Sequence, residues 1–175
     1  AYNRNDGSLT WLTDWTEGPS ATNASAGDIR IVVDGTANVL RLGDDSASGQ
    51  NDTISRSANL SVFTSAVLSF DYRRVALDDN INDYILIEAS SDGTTFTQVG
   101  RIEGPTNDAT YQAFSVNISS YISANTTIRL TSPNSLGNTD FILIDNVNIA
   151  VVAPAPTSHS ASYQIGSAPV RIGST

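Results

Sequence analysis

The clearest strand pattern in the chain lies in residues 66–75, AVLSFDYRRV, and in residues 84–99, YILIEASSDGTTFTQV. Both stretches alternate along the chain with the period of two that a β-strand shows. Each also carries apolar side chains on both faces, which favours a central position in a sheet. The second stretch contains Asp92-Gly93, and this dipeptide predicts a hairpin turn in which both residues adopt positive φ. The two stretches therefore predict antiparallel strands.

Similar segments continue outward in both directions, separated by Gly, Pro, Asn, Asp or Ser clusters that favour turns. The predicted strands are Ser8–Trp15, Asp28–Val33, Asn38–Leu42, Thr53–Ser57, Ala66–Val75, Asp83–Ala89, Thr94–Ile102, Thr110–Val116, Thr126–Thr131 and Asp140–Val151. Helical spacing is weak, and its best example is Ile118–Ile122. No repeat of 20 to 50 residues argues for a propeller or a solenoid. The sequence predicts an all-β fold, a two-sheet antiparallel jelly-roll sandwich with an extended C-terminal strand segment.

The 175 residues suit one domain with a tail. We expect the sandwich to cover residues 1–152, a stiff Pro- and Ser-rich linker to cover 153–160, and a strand segment to cover 161–175. That segment is either the start of a next repeat or a strand donated to a sheet edge, on its own domain or on a neighbouring chain. Its predicted assembly side chains are Tyr163, Ile165, Val170 and Ile172.

The charge pattern excludes several partners. The net charge is −9, and all nine basic residues are Arg. Nucleic acid and anionic lipid need clustered positive charge, so neither is an expected partner. The longest stretch that is purely aliphatic or aromatic, Phe141–Ile144, is far below the roughly 20 residues of a membrane span. We therefore expect no membrane insertion.

Catalysis is not expected either. The chain has no Cys and a single His, which lies in the tail at His159. The usual general bases and nucleophiles other than Ser, Asp and Glu are thus missing from the predicted sandwich. The sequence predicts a protein that is not an enzyme.

Four segments together resemble a known group of modules, the most specific being the terminal strand that contains Asp145. The segments are Trp11–Glu17, Leu68–Tyr72, Ile87–Phe96 and Phe141–Val147. They resemble the MAM-like and galactose-binding-like carbohydrate-binding jelly-roll modules of large bacterial surface adhesins. This resemblance implies an extracellular location at the cell surface, a role in adhesion or assembly, and glycans as candidate ligands.

The resemblance also implies a structural calcium ion. In those families the Asp of the last strand commonly ligates calcium, and it maps here onto Asp145, with Glu17 and Asp28 as the nearest early acidic residues. The alternative is that Asp145 faces solvent or bonds to a neighbouring turn. A second candidate for a metal or ligand loop holds Asp78, Asp79 and Asp83, which offer the oxygen ligands that calcium prefers. This loop lacks EF-hand spacing, and a solvated turn is the other interpretation.

Two functions remain open at this point. In one, the chain is a calcium-stabilised, carbohydrate-binding module of an adhesin, with neighbouring repeats as partners. In the other, it is a subunit of an extracellular filament or surface layer, assembled with copies of itself by C-terminal strand addition. Trp11 and Trp15 fall on one face of a predicted strand, but most aromatic residues are needed for the core, so no aromatic sugar platform is predicted.

Overall fold

The computed structural model describes residues 9–19, 23–43, 51–78, 82–133, 136–137 and 139–156. These residues form ten β-strands and one short 3₁₀ helix, Ser119–Tyr121. The strands are β1 (Thr16–Gly18), β2 (Ile29–Asp34), β3 (Ala37–Gly43), β4 (Asp52–Ala58), β5 (Ser65–Val75), β6 (Tyr84–Ser90), β7 (Thr97–Glu103), β8 (Gln112–Asn117), β9 (Thr126–Ser132) and β10 (Phe141–Val152).

The strands form two five-stranded sheets. The first sheet has the order β1-β4-β9-β6-β7, and the second has the order β2-β3-β10-β5-β8. Every pairing within them is antiparallel. The predicted all-β, two-sheet antiparallel sandwich is confirmed.

The core lies between the two sheets, where alternate side chains of each strand meet. On β5, for example, Leu68 and Phe70 are buried, while Ser69 and Asp71 between them are only partly buried. The large side chains that are fully buried are Ile29, Leu42, Ile54, Leu60, Leu68, Ile85, Ile87, Ile118, Ile128, Leu130, Ile142 and Ile144. A period of two with one face buried fixes the register of each strand, because a one-residue slip would expose the whole apolar set.

The first predicted strand, Ser8–Trp15, is wrong for the residues that can be described. Trp11 makes only an isolated bridge to Ala58, and the regular pairing with β4 begins at Thr16. The cause is Arg56, whose guanidinium carbon lies 4.8 Å from the ring centroid of Trp11 and 5.9 Å from that of Trp15. Its Nε also donates a 2.8 Å hydrogen bond to the carbonyl of Thr13. The chain bends around this cation instead of continuing as a strand.

The Asp92-Gly93 hairpin forms, but its turn differs from the prediction. Gly93 has a φ of 75°, whereas Asp92 is not among the residues with positive φ. Instead, Oδ1 of Asp92 accepts hydrogen bonds from the backbone N–H groups of Thr94 at 2.8 Å and Thr95 at 2.7 Å. The side chain of Asp92 thus closes a longer loop between β6 and β7, as Asp commonly does in turns.

Strand β10 contains a bulge that becomes important at the surface. Its register against β5 shifts between Asp145 and Asn148, and Asn146 adopts a φ of 55°. Asn tolerates this left-handed conformation better than most residues, and bulges re-aim the side chains around them.

Downstream, β10 ends at Val152. Residues 157–175 lie outside the described residues, so the predicted strand segment and its side chains Tyr163, Ile165, Val170 and Ile172 stay a prediction.

In the described part of the chain, no helix has the length and hydropathy needed to cross a membrane.

Candidate functional site

An open groove runs along β5 and β8 on the outer face of the second sheet. It has a volume of about 330 Å³ and is lined by Ser69, Phe70, Asp71, Ala113, Phe114, Ser115 and Asn146. The antiparallel register places Ser69 opposite Ser115 and Asp71 opposite Ala113. The outward side chains that line the groove are therefore small or polar. We call this feature the β5–β8 groove.

A carboxylate and an amide stand together in this groove. Nδ2 of Asn146 donates a 2.8 Å hydrogen bond to Oδ2 of Asp71. The backbone N–H of Asn146 donates a further 2.8 Å bond to Oδ1 of Asp145, which fixes the bulge. Among the residues that the structure describes, Oδ1 of Asp71 has no hydrogen-bond donor. The Asp71–Asn146 pair and the hydroxyls of Ser69 and Ser115 can thus both donate and accept hydrogen bonds.

A fixed cluster of three side chains lies next to the groove. Nη2 of Arg73 donates a 2.9 Å bond to Oδ1 of Asp34, and the hydroxyl of Tyr111 donates a 2.9 Å bond to Oδ2 of the same carboxylate. The Arg73 guanidinium carbon also lies 5.8 Å from the Tyr111 ring centroid. Burial and the bond to Asp34 raise the pKa of Tyr111 to about 12. The bond from Tyr111, aided by Arg73, lowers the pKa of Asp34. At neutral pH the phenol is therefore the donor and the carboxylate is the acceptor.

The outer face of the first sheet carries a different arrangement. Glu88 accepts two hydrogen bonds from Arg129, from Nε at 2.8 Å and from Nη2 at 2.9 Å, and a third from the hydroxyl of Thr131 at 2.6 Å. The guanidinium carbon of Arg129 also lies 3.7 Å from the ring centroid of Phe96. Burial raises the pKa of Glu88, but the bonds from Arg129 and Thr131 outweigh burial, so the pKa of Glu88 is lowered. This carboxylate therefore has its hydrogen-bond partners within the protein.

An acidic cluster lies where three strand ends meet. Carboxylate oxygens of Asp78, Asp83 and Asp140 lie within 4.8 Å of one another, and only 3% of Asp83 and 6% of Asp140 is exposed. Asp78 follows β5, Asp83 directly precedes β6, and Asp140 directly precedes β10. Burial, together with the charges of Asp83 and Asp78, raises the pKa of Asp140. Three convergent carboxylates could hold a hard cation such as calcium.

Gly137 leaves room for the carboxylate of Asp140 to approach the other two carboxylates. A Cβ placed at that position would collide with Oδ2 of Asp140. The backbone N–H of Asp140 in turn donates a 2.9 Å bond to the carbonyl of Gly137. This tight turn directs the carboxylate of Asp140 back over the glycine, toward the other two acidic residues.

The acidic residues predicted from the sequence fall into two groups. Asp78 and Asp83 come together as the second candidate loop requires, while Asp79 lies outside the described residues. Sequence reasoning missed their third member, Asp140, which lies 57 positions after Asp83 along the chain. Its signal is the register of β10, because Phe141 pairs with Val75 and so brings residue 140 beside the loop that follows β5.

The other three predicted ligands are placed apart. Glu17 lies in β1 of the first sheet, Asp28 precedes β2 of the second sheet, and Asp145 lies at the bulge of β10. Within the part of the chain that can be described, these three do not form a group whose oxygens lie within 4.8 Å. Calcium ligation by Asp145 with Glu17 and Asp28 stays a prediction. The role that the structure gives Asp145 is the hydrogen bond within the bulge.

The groove itself was not predicted from the sequence. The polar face of β5, Ser69-Asp71-Arg73, was visible in the alternation, but nothing in the sequence showed that β8 and the bulge of β10 flank it. Asn146 carried one signal, because Asn adopts left-handed backbone more readily than most other residues that carry a side chain.

Comparisons with known proteins bear on the fold. No protein-family model matches the sequence, and neither does any curated protein. Among solved structures, a family 61 carbohydrate-binding module in complex with β-1,4-galactotriose is 12% identical, with a TM-score of 0.52 over 80% of this chain and 90% of that chain. A family 29 carbohydrate-binding module is 13% identical, with a TM-score of 0.48 over 83% of this chain and 90% of that chain. At such low identity, the likeness to the family 61 module shows a shared fold, the jelly-roll β-sandwich.

Proposed function

We propose that this chain is a non-catalytic, extracellular module that binds a glycan in the β5–β8 groove. The observation that carries the proposal is the Asp71–Asn146 pair, which lies on an exposed sheet face with hydrogen-bonding capacity turned toward the groove. Sugar hydroxyls both donate and accept, and they are recognised by a few well-placed carboxylate, amide and hydroxyl groups in a concave site. The groove offers all three kinds of group.

The floor of the groove leaves room for a sugar ring. Ser69, Ala113 and Ser115 are small, so a sugar can approach the backbone of β5 and β8 closely while its hydroxyls reach Asp71 and Asn146. The volume of about 330 Å³ lies at the small end of the range for ligand sites, which suits one or two sugar units. A module of the same fold has been solved with β-1,4-galactotriose, and this supports the class of ligand.

The same proposal includes a structural calcium ion, held by Asp78, Asp83 and Asp140. Asp83 and Asp140 are almost fully buried, and burial together with repulsion from Asp83 and Asp78 raises the pKa of Asp140. A divalent cation would remove that repulsion and would tie the start of β6, in the first sheet, to the end of β5 and the start of β10 in the second. Calcium is thus proposed as a stabiliser of the sandwich, away from the groove.

The glycan proposal is tested by screening the purified chain against an array of neutral and acidic glycans and then titrating the strongest ligand by calorimetry. Asp71→Ala should weaken binding at least tenfold, because it removes both a ligand acceptor and the partner of Asn146. The matched control is Ser55→Ala, an outward position on β4 of the first sheet, which should bind as the unmodified chain does. Equal affinity of the Asp71→Ala variant, or no binding to any glycan of the array, would overturn the proposal.

A further inference from the structure

One end of the β5–β8 groove is closed by the side chains of Arg73 and Tyr111, which we call the wall. Tyr72 pairs with Gln112 and Asp71 with Ala113, so the next positions along the two strands are Arg73 and Tyr111. Arg73 alternates with Tyr72, which packs on the core, and therefore extends from the same face as Asp71. Tyr111 is held on that face by the carboxylate that also binds Arg73. The two side chains therefore stand directly beyond the floor of the groove.

The wall is braced from a third strand. Asp34 ends β2 and precedes Gly35, whose φ of 62° forms the turn into β3. The two carboxylate oxygens of Asp34 accept hydrogen bonds from Arg73 and Tyr111 separately, each at 2.9 Å. With the pKa of Tyr111 at about 12 and that of Asp34 below its usual value, both bonds persist across neutral pH. A ligand that reaches this end therefore meets a cross-linked obstacle, whereas single side chains would rotate aside.

Among the residues that the structure describes, no cation pairs with Asp71 or Asp145, so the charge of the groove is negative. Asp71 lies directly opposite Asp145 across β5 and β10, and like charges in such positions destabilise a sheet. The Nδ2 group of Asn146, which bonds to Asp71, is neutral. The next cation along β5, Arg73, is already paired with Asp34 at 2.9 Å. The chain as a whole carries a net charge of −9, which adds to the repulsion of anions.

From the wall and the charge together, we propose that the groove receives the end of an uncharged glycan chain. The Arg73–Asp34–Tyr111 wall stops the sugar chain from continuing past Asp71, and the paired acidic residues Asp71 and Asp145 disfavour sugars that carry carboxylate or sulfate groups. This inference rests on the proposed glycan binding and adds to it the charge and the chain position of the ligand.

The test uses β-1,4-linked glucose, mannose and galactose oligosaccharides, their polymers, and uronate oligosaccharides with the same backbones. A uronate unit differs from its neutral counterpart by one carboxylate, so we expect it to bind at least tenfold more weakly at low salt. Limited hydrolysis of the polymer creates new chain ends and adds only one water molecule for each bond broken, so the total mass of sugar hardly changes. The number of binding sites per gram, measured by calorimetry, should therefore rise in proportion to the number of ends.

Two variants of Tyr111 separate the wall from other effects. Tyr111→Ala opens the groove, so internal segments of the polymer should bind and the dependence on chain ends should fall. Tyr111→Phe keeps the ring and loses the bond to Asp34, so the dependence on ends should fall less than it does in Tyr111→Ala. If the unmodified chain binds uronates as tightly as neutral sugars, or shows the same number of sites before and after hydrolysis, this inference is overturned while glycan binding stands. If no glycan binds, both fail.

Discussion

The outer faces of the two sheets both carry carboxylates, but the carboxylate on the first sheet has more hydrogen-bond partners than the one on the second. On the first sheet, the carboxylate of Glu88 accepts two bonds from Arg129 and one from Thr131, and its pKa is lowered accordingly. On the second sheet, Asp71 accepts one bond from Asn146 and lies opposite a second carboxylate, that of Asp145. The strands, the alternation and the antiparallel pairing are alike on both faces. The difference lies in whether the polar groups satisfy one another.

This difference separates carboxylates that support the fold from those suited to binding. A charged group that is buried and fully paired, as Glu88 is, contributes to stability, and its loss leaves a partner unsatisfied. A carboxylate held opposite another carboxylate costs stability, and the proposed glycan would be an external partner for it. The comparison predicts that changes on the first sheet alter unfolding, and that changes on the second sheet alter binding.

The largest effect is expected from Glu88→Gln. This change leaves the guanidinium of Arg129 without its anion, and we expect a loss of about 2 kcal/mol in the free energy of unfolding. Urea unfolding followed by tryptophan fluorescence measures it. Glu103→Gln is the matched control, because the side chain of Glu103 is 53% exposed and pairs with Arg101 at the surface, so its loss should be near zero. Glycan affinity should not change in either variant, and a stability equal to that of the unmodified chain would contradict the role of Glu88.

A smaller effect is expected at the bulge of β10. Asn146→Ala places an ordinary side chain at a φ of 55°, which costs about 1 kcal/mol in the free energy of unfolding. Asn146→Gly accepts that backbone without strain, so its stability should stay within about 0.5 kcal/mol of the unmodified chain. Both variants lose the amide that faces the groove and should bind glycan more weakly. If Asn146→Gly keeps full affinity, the amide has no part in binding.

The smallest effect concerns the acidic cluster and depends on pH. Asp140 has a folded-state pKa above its ordinary value of 3.8, so its protonated form stabilises the fold below pH 3.8, and this stability is lost as the pH rises through the raised pKa. Without calcium, Asp140→Asn should therefore raise the melting temperature slightly at pH 7. Calcium should stabilise the unmodified chain at pH 7, less so near pH 4, and should have little effect on the variant.

Asp145→Asn provides the comparison for this measurement, since Asp145 was the calcium ligand expected from the sequence. We expect its response to calcium to match that of the unmodified chain. If Asp145→Asn removes the response to calcium and Asp140→Asn does not, the ion is bound at Asp145, as the sequence predicted. The acidic cluster is then not its site.

The sequence predicted the fold well because each strand carries its own pattern. Alternation located nine of the ten strands within a few residues, and Asp92-Gly93 located the hairpin between β6 and β7. The first strand failed because the contacts of Arg56 with Trp11 and Trp15 are tertiary and override local pattern. The helical spacing at 118–122 yielded only a short 3₁₀ turn.

The sites were harder to predict because they depend on which strands become neighbours. The hydroxyl of Tyr111 binds a carboxylate 77 positions away, and the amide of Asn146 binds one 75 positions away. A single sequence carries no register information over such distances. The acidic loop was found in part, since Asp78 and Asp83 are close in sequence, while Asp140 depends on the pairing of β10 with β5.

The most direct test of the central claim is an NMR titration of the ¹⁵N-labelled chain with the glycan that binds most tightly. If the glycan binds in the β5–β8 groove, we expect amide shifts to change at residues 69–71, 113–115 and 145–147, while those of Glu88, Arg129 and Thr131 stay in place. Shifts concentrated on the outer face of the first sheet, with the groove unchanged, would contradict it.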